Sequence, residues 1–352
     1  MYINNILYRQ DIERILVPAF EKLRGKTFFI TGTSGLVGSF LADVLLYLNE
    51  KHNYGMDIWG TFSSQKSFDE RFPSYVGRDD FHAVIQDINQ PITLDLKPDY
   101  IIHAASNTHP ALYANNPVET IKLNVNGTSH ILDFAKEKQN CRVLFLSTLE
   151  VYGEDKTVDK FNEQNIGKVD FTYFRSCYPE SKRLCETLCS AYNKEYGTDI
   201  VTARLGYIYG PTVKLNSSKA DVQFLNKALA GEDIVLKSRG LQQRSYCYVA
   251  DTVAALLFIL LKANTGESYN VASTQGNIRL HEFAEILAEF SGVKVVFDID
   301  ENIAATGGSQ VQNSTLDSFK LESLGWKSCF SPNDGIEHTL QIKKEILGDN
   351  NG

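Results

Sequence analysis

The chain lacks the signatures of several large protein classes. Its six cysteines, at 141, 177, 185, 189, 247 and 329, form no CxxC and join no His/Cys cluster of zinc spacing. No metal is therefore expected. The thiols read as reduced, in or near the core of a cytoplasmic protein, and spacing marks none of them as catalytic. No apolar run approaches the length of a membrane span. The first residues, MYINNILYRQDIERIL, are charged by the ninth position and lack a small-residue cleavage site, so no secretory signal is expected. There is no Lys/Arg-rich block and no basic–aromatic interleave. With a formal net charge of -8, neither nucleic acid nor a membrane is an expected partner. Internal repeats and low-complexity tracts are missing too.

What remains is ordinary globular composition, with 43% hydrophobic and 22% charged residues. A length of 352 residues suits a main domain with a smaller companion. Residues 10–24 read as an amphipathic helix interrupted by Pro18, within an N-terminal extension over 1–24 that pads a sheet or a subunit contact. From Thr27 onward, short continuous apolar segments alternate with helices: TFFIT, MDIWGTF, FHAVIQDI, DYIIHAAS, CRVLFLST and TDIVTARLGYIYG. Continuous rather than alternating apolar strands indicate a parallel sheet covered on both faces. The rhythm loosens after Gly210-Pro211. The expected division is a main domain over 25–206, to which 244–270 returns, and a smaller lobe built from 207–243 and 271–352.

TGTSGLVG, directly after the first strand, places glycines at 32, 35 and 38 and opens a helix. Gly32 permits a tight turn, Gly35 lets backbone approach a pyrophosphate, and Gly38 lets the helix pack close to the sheet. Amides at the helix start, from Ser34 through Leu36 and Val37, then face phosphates. The fold class implied is α/β, a Rossmann-type doubly wound parallel sheet with a smaller C-terminal substrate-binding lobe. The spacing is GxxGxxG, and the second strand is followed by Phe62, Ser63, Ser64 and Lys66 where a ribose-binding carboxylate is usual. NAD is the expected cofactor, with NADP left open. Asp87, with Ile88, is placed to meet the adenine, and Ala104, Ala105 and Ser106 in HAAS lie where the cofactor crosses the sheet.

Two ionisable residues one helical turn apart, Tyr178 and Lys182, follow LSTLEVYG, which supplies Ser147, Thr148 and Glu150 at a strand end. Together these are the parts of an alcohol/ketone oxidoreduction centre. A tyrosinate takes the proton of a hydroxyl while the carbon gives hydride to a nicotinamide. A neighbouring ammonium is expected to lower the tyrosine pKa. Thr148 can bond the reacting oxygen, and Lys182 the cofactor ribose. His103 is read as structural.

TGTSGLVG, HAAS, NVNGTSHIL, LSTLEVYG, YPESK, ARLGYIYGP and RSYCYVAD, in this order, resemble the extended short-chain dehydrogenase/reductase superfamily, specifically its nucleotide-sugar epimerases, dehydratases and decarboxylases. The resemblance implies a nucleotide-diphosphate sugar as partner, a transient C4-keto sugar, and a homodimer. It makes Tyr178 the base, Lys182 the cofactor-orienting group and the Ser/Thr before them assistants. It also makes Asn124 a support of the active-site strands and Arg244 a clamp on the diphosphate. The position of Tyr207 touches substrate in the family, where an asparagine is usual. Leu149 replaces the acid of 4,6-dehydratases and cannot protonate a leaving hydroxyl. Glu150 and the run Arg175-Ser-Cys-Tyr-Pro-Glu-Ser-Lys-Arg resemble UDP-glucuronate decarboxylases. The reaction placed first is 4-epimerisation, being the broadest class in the family. Decarboxylation, other keto-sugar chemistry and a non-catalytic cofactor-binding protein stand as alternatives.

Overall fold

A computed structural model describes residues 2–299 and 313–349 of the chain; 300–312 and 350–352 of the expected smaller lobe lie outside the described residues. The first strand, β1 (Thr27–Thr31), is built of apolar and β-branched residues, and all but its first are buried. Such a segment has no polar face to offer water, so it belongs in the middle of a sheet. Six further strands join it: β2 (Asp57–Phe62), β3 (Phe81–Ile85), β4 (Tyr100–His103), β5 (Arg142–Thr148), β6 (Asp199–Leu205) and, later in the chain, β10 (Ser268–Val271). All seven are parallel, in the order β3-β2-β1-β4-β5-β6-β10. The order reverses between β1 and β4, which opens a crevice at the carboxyl ends of those strands.

Helices α1 (Ile6–Arg14), α2 (Leu36–His52), α3 (Gln65–Arg71), α4 (Pro110–Asn115), α5 (Pro117–Lys136) and α6 (Cys177–Tyr196) alternate with the strands. One sheet face is covered by α5 and α6, which pack along each other. The other is covered by α2 and by α8 (Val249–Lys262), whose apolar run is almost wholly buried. A second group of elements lies outside the main sheet: β7 (Tyr207–Tyr209), α7 (Ala220–Ala230), β8 (Ile234–Leu236), β9 (Gln243–Tyr248), expected with the main domain, β11 (Asn277–Arg279), α9 (Leu280–Ser291), β12 (Val295–Phe297), β13 (Asn313–Ser314), α10 (Phe319–Glu322) and α11 (Pro332–Asp349). In it β9 pairs with β7, β11 and β13, and β8 with β12.

Two segments differ from their sequence reading. TDIVTARLGYIYG is two strands in two sheets. The chain leaves the main sheet at Gly206, where a side chain would press within 2.6 Å of the Ser245 carbonyl. The expected helix over 10–24 ends at Arg14 and is followed by a separate 3-10 turn, Pro18–Leu23. Proline, lacking an N–H, starts that turn rather than sitting inside a helix. The extension is part of the core: Tyr8 and Ile12 are fully buried. Tyr8 donates its hydroxyl to Asp43 at 2.6 Å, and Asp11 accepts from Tyr248 at 2.6 Å and meets His338 at 2.7 Å.

Candidate active site

The crevice is lined first by the glycine turn. Gly32 has φ 68°, and a Cβ there would lie 2.8 Å from the Ala105 backbone. The β1 and β4 loops approach so closely that only hydrogen fits between them. Gly38 lies under the turn, where a Cβ would come within 2.6 Å of the Gly32 carbonyl. Gly35 caps α2 with extended backbone, and no side chain bonds the first amides of the helix. This cradle fits a dinucleotide pyrophosphate, because those amides stay available to an anion and no Cβ intrudes.

The loop after β7 closes on the same turn. Thr212 donates to the Leu36 carbonyl at 2.8 Å, and the Lys214 ammonium reaches the Ser34 hydroxyl at 3.4 Å. Val37 packs against the core. Beyond β2, Ser64 is engaged as the N-cap of α3, while Lys66 is exposed and faces Glu70 at 3.6 Å. Neither builds a pocket for an added ribose phosphate. Asp87 is exposed and accepts from the Asn89 amide at 2.9 Å; Ile88 is buried against Gly127.

After β4, the Ala104 and Ala105 amides both bond the Thr31 hydroxyl at 3.2 Å. Ser106 donates to Asn124 Oδ1 at 2.7 Å, and Asn124 Nδ2 donates to Ser181 at 2.8 Å; Ser181 in turn donates to the Tyr178 carbonyl at 2.9 Å. Asn124 thus ties the β4 loop to the first turn of α6. His103 sits between Thr31 and Thr128 at 2.8 and 3.2 Å, and burial with the Lys182 charge lowers it to about 3, so it is neutral.

Tyr178 and Lys182 are both buried on one face of α6. Thr148, at the end of β5, and Ser106 are the hydroxyls whose influence lowers the Tyr178 phenol. Lys182 turns its ammonium to the Leu146 carbonyl at 2.9 Å and lies 4.8 Å from the centre of the Phe145 ring. The expectation of a lowered tyrosine pKa is overturned in the protein alone. Burial and the Glu150 charge raise the phenol, and only the hydroxyl bonds of Thr148 and Ser106 oppose them. Lys182 is not among the groups that shift the phenol; its ammonium is turned to the Leu146 carbonyl instead.

Ser147 departs from its expected place. Successive residues of a strand point to opposite faces, and Ser147 donates to Glu186 at 2.5 Å, within the Glu186–Arg204 ion pair, while Thr148 faces the phenol. Tyr113 was not found by sequence reasoning. It is buried on α4 and stacks on Tyr178 with ring centroids 5.2 Å apart and planes 15° apart, and its carbonyl accepts from the Cys177 thiol at 3.5 Å. No spacing rule relates it to Tyr178.

Glu150 completes the cleft. It is partly exposed there, and its charge raises both Tyr178 and Tyr113. Burial raises Glu150 itself, against the opposing pull of Lys219, Arg175 and Arg244. Arg244 approaches from the smaller lobe, with its guanidinium 4.5 Å from the Tyr207 ring centre and 3.4 Å from the Tyr246 hydroxyl. Tyr207 therefore serves as a platform for the arginine. Among the described residues, no cluster of three or more His, Cys, Asp or Glu side chains could hold a metal ion, and no helix is long and apolar enough to cross a membrane.

A doubly wound sheet with a pyrophosphate cradle at its switch point and a tyrosine–lysine helix beside it defines a nucleotide-dependent oxidoreductase-type site. Residues 28–272 match the NAD dependent epimerase/dehydratase family, and the chain belongs to it. It is 33% identical over 326 residues to UDP-glucuronic acid decarboxylase 6 of Arabidopsis thaliana, covering 91% of each chain. To UDP-glucuronic acid decarboxylase 1 of Xenopus tropicalis it is 31% identical over 360 residues, covering 96% of this chain and 82% of that protein. Its fold matches UDP-glucose 4-epimerase of Thermotoga maritima, solved with UDP-glucose, with a TM-score of 0.77 at 22% identity, over 91% of this chain and 99% of that one. UDP-glucuronic acid 4-epimerase of Bacillus cereus, solved with UDP-glucuronic acid and NAD, matches with a TM-score of 0.76 at 20% identity, over 91% and 99%.

Proposed function

We propose that this protein binds NAD and a UDP-linked uronic acid, oxidises the sugar at C4 and releases its C5 carboxyl group as carbon dioxide. The observation that carries the reading is the buried Tyr178, one turn from Lys182 on α6 and stacked on Tyr113, with the Glu150 charge acting on both tyrosines. The relatives named decarboxylases, similar over nine-tenths of the chain, add support. Epimerisation, placed first by the sequence, moves to second place because the epimerase structures match at 20–22% identity, which speaks for the fold alone.

The glycine cradle and Lys182 would hold the cofactor. Bound NAD supplies an acceptor for the C4 hydride, its return to C4 once the carboxyl group has left, so that the product is a pentose, and, through its positive ring, the charge that favours a phenolate. Tyr178 takes the C4 hydroxyl proton, with Thr148 and Ser106 fixing the phenol. Stacking on Tyr113 keeps its ring in one orientation. With C4 a ketone, the electrons of the bond from C5 to the carboxyl carbon move toward the C4 oxygen, carbon dioxide leaves, and an enolate remains. Glu150, whose burial favours the protonated acid, is suited to return a proton to C5. Leu149 gives no proton to a leaving hydroxyl, which disfavours dehydration. Arg244, braced on Tyr207, suits the diphosphate as a planar fork.

The second partner is another copy of the chain, seated on the α5–α6 face, where Val118, Ile121 and Leu184 are exposed. The test of the reaction is to incubate the purified protein with UDP-glucuronate and identify the products by mass and NMR. Release of carbon dioxide with a UDP-pentose supports the proposal. A product of unchanged mass and new stereochemistry supports epimerisation instead.

A further inference from the structure

Among the described residues, Arg175 is a half-buried cation without a hydrogen-bond or ion-pair partner for its guanidinium. It sits in the 3-10 turn Phe174–Ser176 at the entrance to α6, and no side-chain acceptor bonds its guanidinium among the described residues. The turn is fixed on both sides: Ser176 donates its hydroxyl to the Asp170 carbonyl at 2.6 Å, and Cys177 is held on the Tyr113 carbonyl. The arginine is only partly exposed, and its charge acts on Glu150, Tyr113 and Cys177, the groups around Tyr178. Arg244 serves a different neighbourhood: its charge bears on Tyr246, and it lies over Tyr207, both in the smaller lobe.

Glu150 does not neutralise either arginine. Three cations, Lys219, Arg175 and Arg244, act on this carboxylate, yet none comes within the 4.0 Å of an ion pair. The cations stand off from the acid rather than closing on it. The arginine facing the smaller lobe is placed for a diphosphate, whereas Arg175 stands at the entrance to α6, in the turn that packs on α4 next to Tyr113, beside the place of the sugar ring. A half-buried guanidinium with free donors, fixed by a rigid turn, matches a planar carboxylate through two parallel N–H bonds.

We propose that Arg175 is the specificity-determining residue that selects a nucleotide sugar bearing a carboxylate on its ring over one bearing a hydroxymethyl group. The proposal rests on the nucleotide-sugar reading of the cleft but not on what becomes of the carboxylate. The ion pair forms in the bound ground state and is dissolved as carbon dioxide departs. Its removal therefore acts on substrate affinity and KM more than on kcat.

The experiment compares the NAD-loaded wild type with Arg175→Met and Arg175→Lys, titrating each with UDP-glucuronate and with UDP-glucose by calorimetry. The readout is the ratio of the two Kd values, which general unfolding does not shift. The wild type is expected to favour UDP-glucuronate by at least about tenfold, the range of one charge-assisted bond. Arg175→Met should bring that ratio near unity with UDP-glucose affinity unchanged, and Arg175→Lys should keep part of the preference. Equal weakening of both sugars in Arg175→Met, or a preference that survives it, would overturn the assignment. Carbon dioxide release is recorded separately. A wild type that prefers UDP-glucuronate yet releases none removes the decarboxylation reading and leaves the role of Arg175 standing.

Discussion

Tyr178 is a phenol that the protein by itself keeps protonated. Burial and Glu150 both raise its pKa, and Thr148 and Ser106 pull the other way. Replacing it with phenylalanine should lower kcat by about 10²–10⁴, the usual contribution of a positioned acid–base group. Nicotinamide absorbance of the purified variant should be unchanged; unaltered turnover would remove Tyr178 from the chemistry. Tyr113 makes a subtler case. Tyr113→Phe keeps the stack and should turn over normally, whereas Tyr113→Ala opens space beside the phenol. The alanine variant should lower kcat and move the pH profile of the reaction, because water then reaches the phenol and eases its ionisation. A profile identical to wild type would show that the stack serves packing only. The contrast between these tyrosines marks how far residues could be read from sequence. Tyr178 and Lys182 share a helical face by spacing alone. Tyr113 is brought to them by the packing of α4 on α5 and on the turn before α6, which no local pattern encodes.

Among the elements, the β1–α2 turn and the C-terminal helix carry the clearest consequences. Gly32 adopts a left-handed conformation directly against the Ala105 backbone. Gly32→Ala should cost more than about 1 kcal/mol of stability and empty the protein of nicotinamide, measured by thermal unfolding and absorbance. Normal cofactor content would refute the close approach. On α11, Lys343 is buried and donates at 2.7 Å to both the Tyr2 hydroxyl and the Val213 carbonyl, joining the N-terminal extension to the loop over the glycine turn. Burial, with Arg71 nearby, lowers its ammonium to about 7. An unfolded lysine titrates near about 10.4, so above 7 the unfolded chain holds the extra proton. Its contribution to stability therefore grows as pH rises from about 7 to 10 and is lost as pH falls through 7. Urea midpoints should show this rise in the wild type and its absence in Lys343→Met; parallel curves would sink the assignment. Pro18 correctly signalled a break in the extension. Nothing local signalled Lys343, which matters only because two chain ends meet there.

For the whole molecule, the exposed apolar residues of α5 and α6 are a surface that water does not favour. If a second copy covers them, Val118→Glu combined with Leu184→Glu should give a monomer by light scattering with its far-UV spectrum intact. A wild type already monomeric at micromolar concentration would remove that partner. At the same scale stands the contrast between the main sheet and the elements outside it: β1 to β6 with their helices hold the glycine turn and the phenol, while β7, β9 and the start of α7 carry Tyr207, Arg244 and Lys219. The chain passes between them at Gly206, inside a segment whose apolar run reads as one strand. Only the Ser245 carbonyl pressed against that glycine shows why it is two.

The sequence by itself determined the parallel doubly wound sheet, the pyrophosphate turn and the pairing of Tyr178 with Lys182. These rest on local periodicity and on glycines whose need is steric. The tertiary structure alone decided that Ser147 turns to Glu186, that Lys182 bonds the Leu146 carbonyl, and that Tyr113 stacks on the phenol ring. Among the described residues it also left the Arg175 guanidinium without a hydrogen-bond partner while its charge acts on Glu150. These are matters of which face a strand presents and which distant segments meet, and both are fixed by packing across the whole chain.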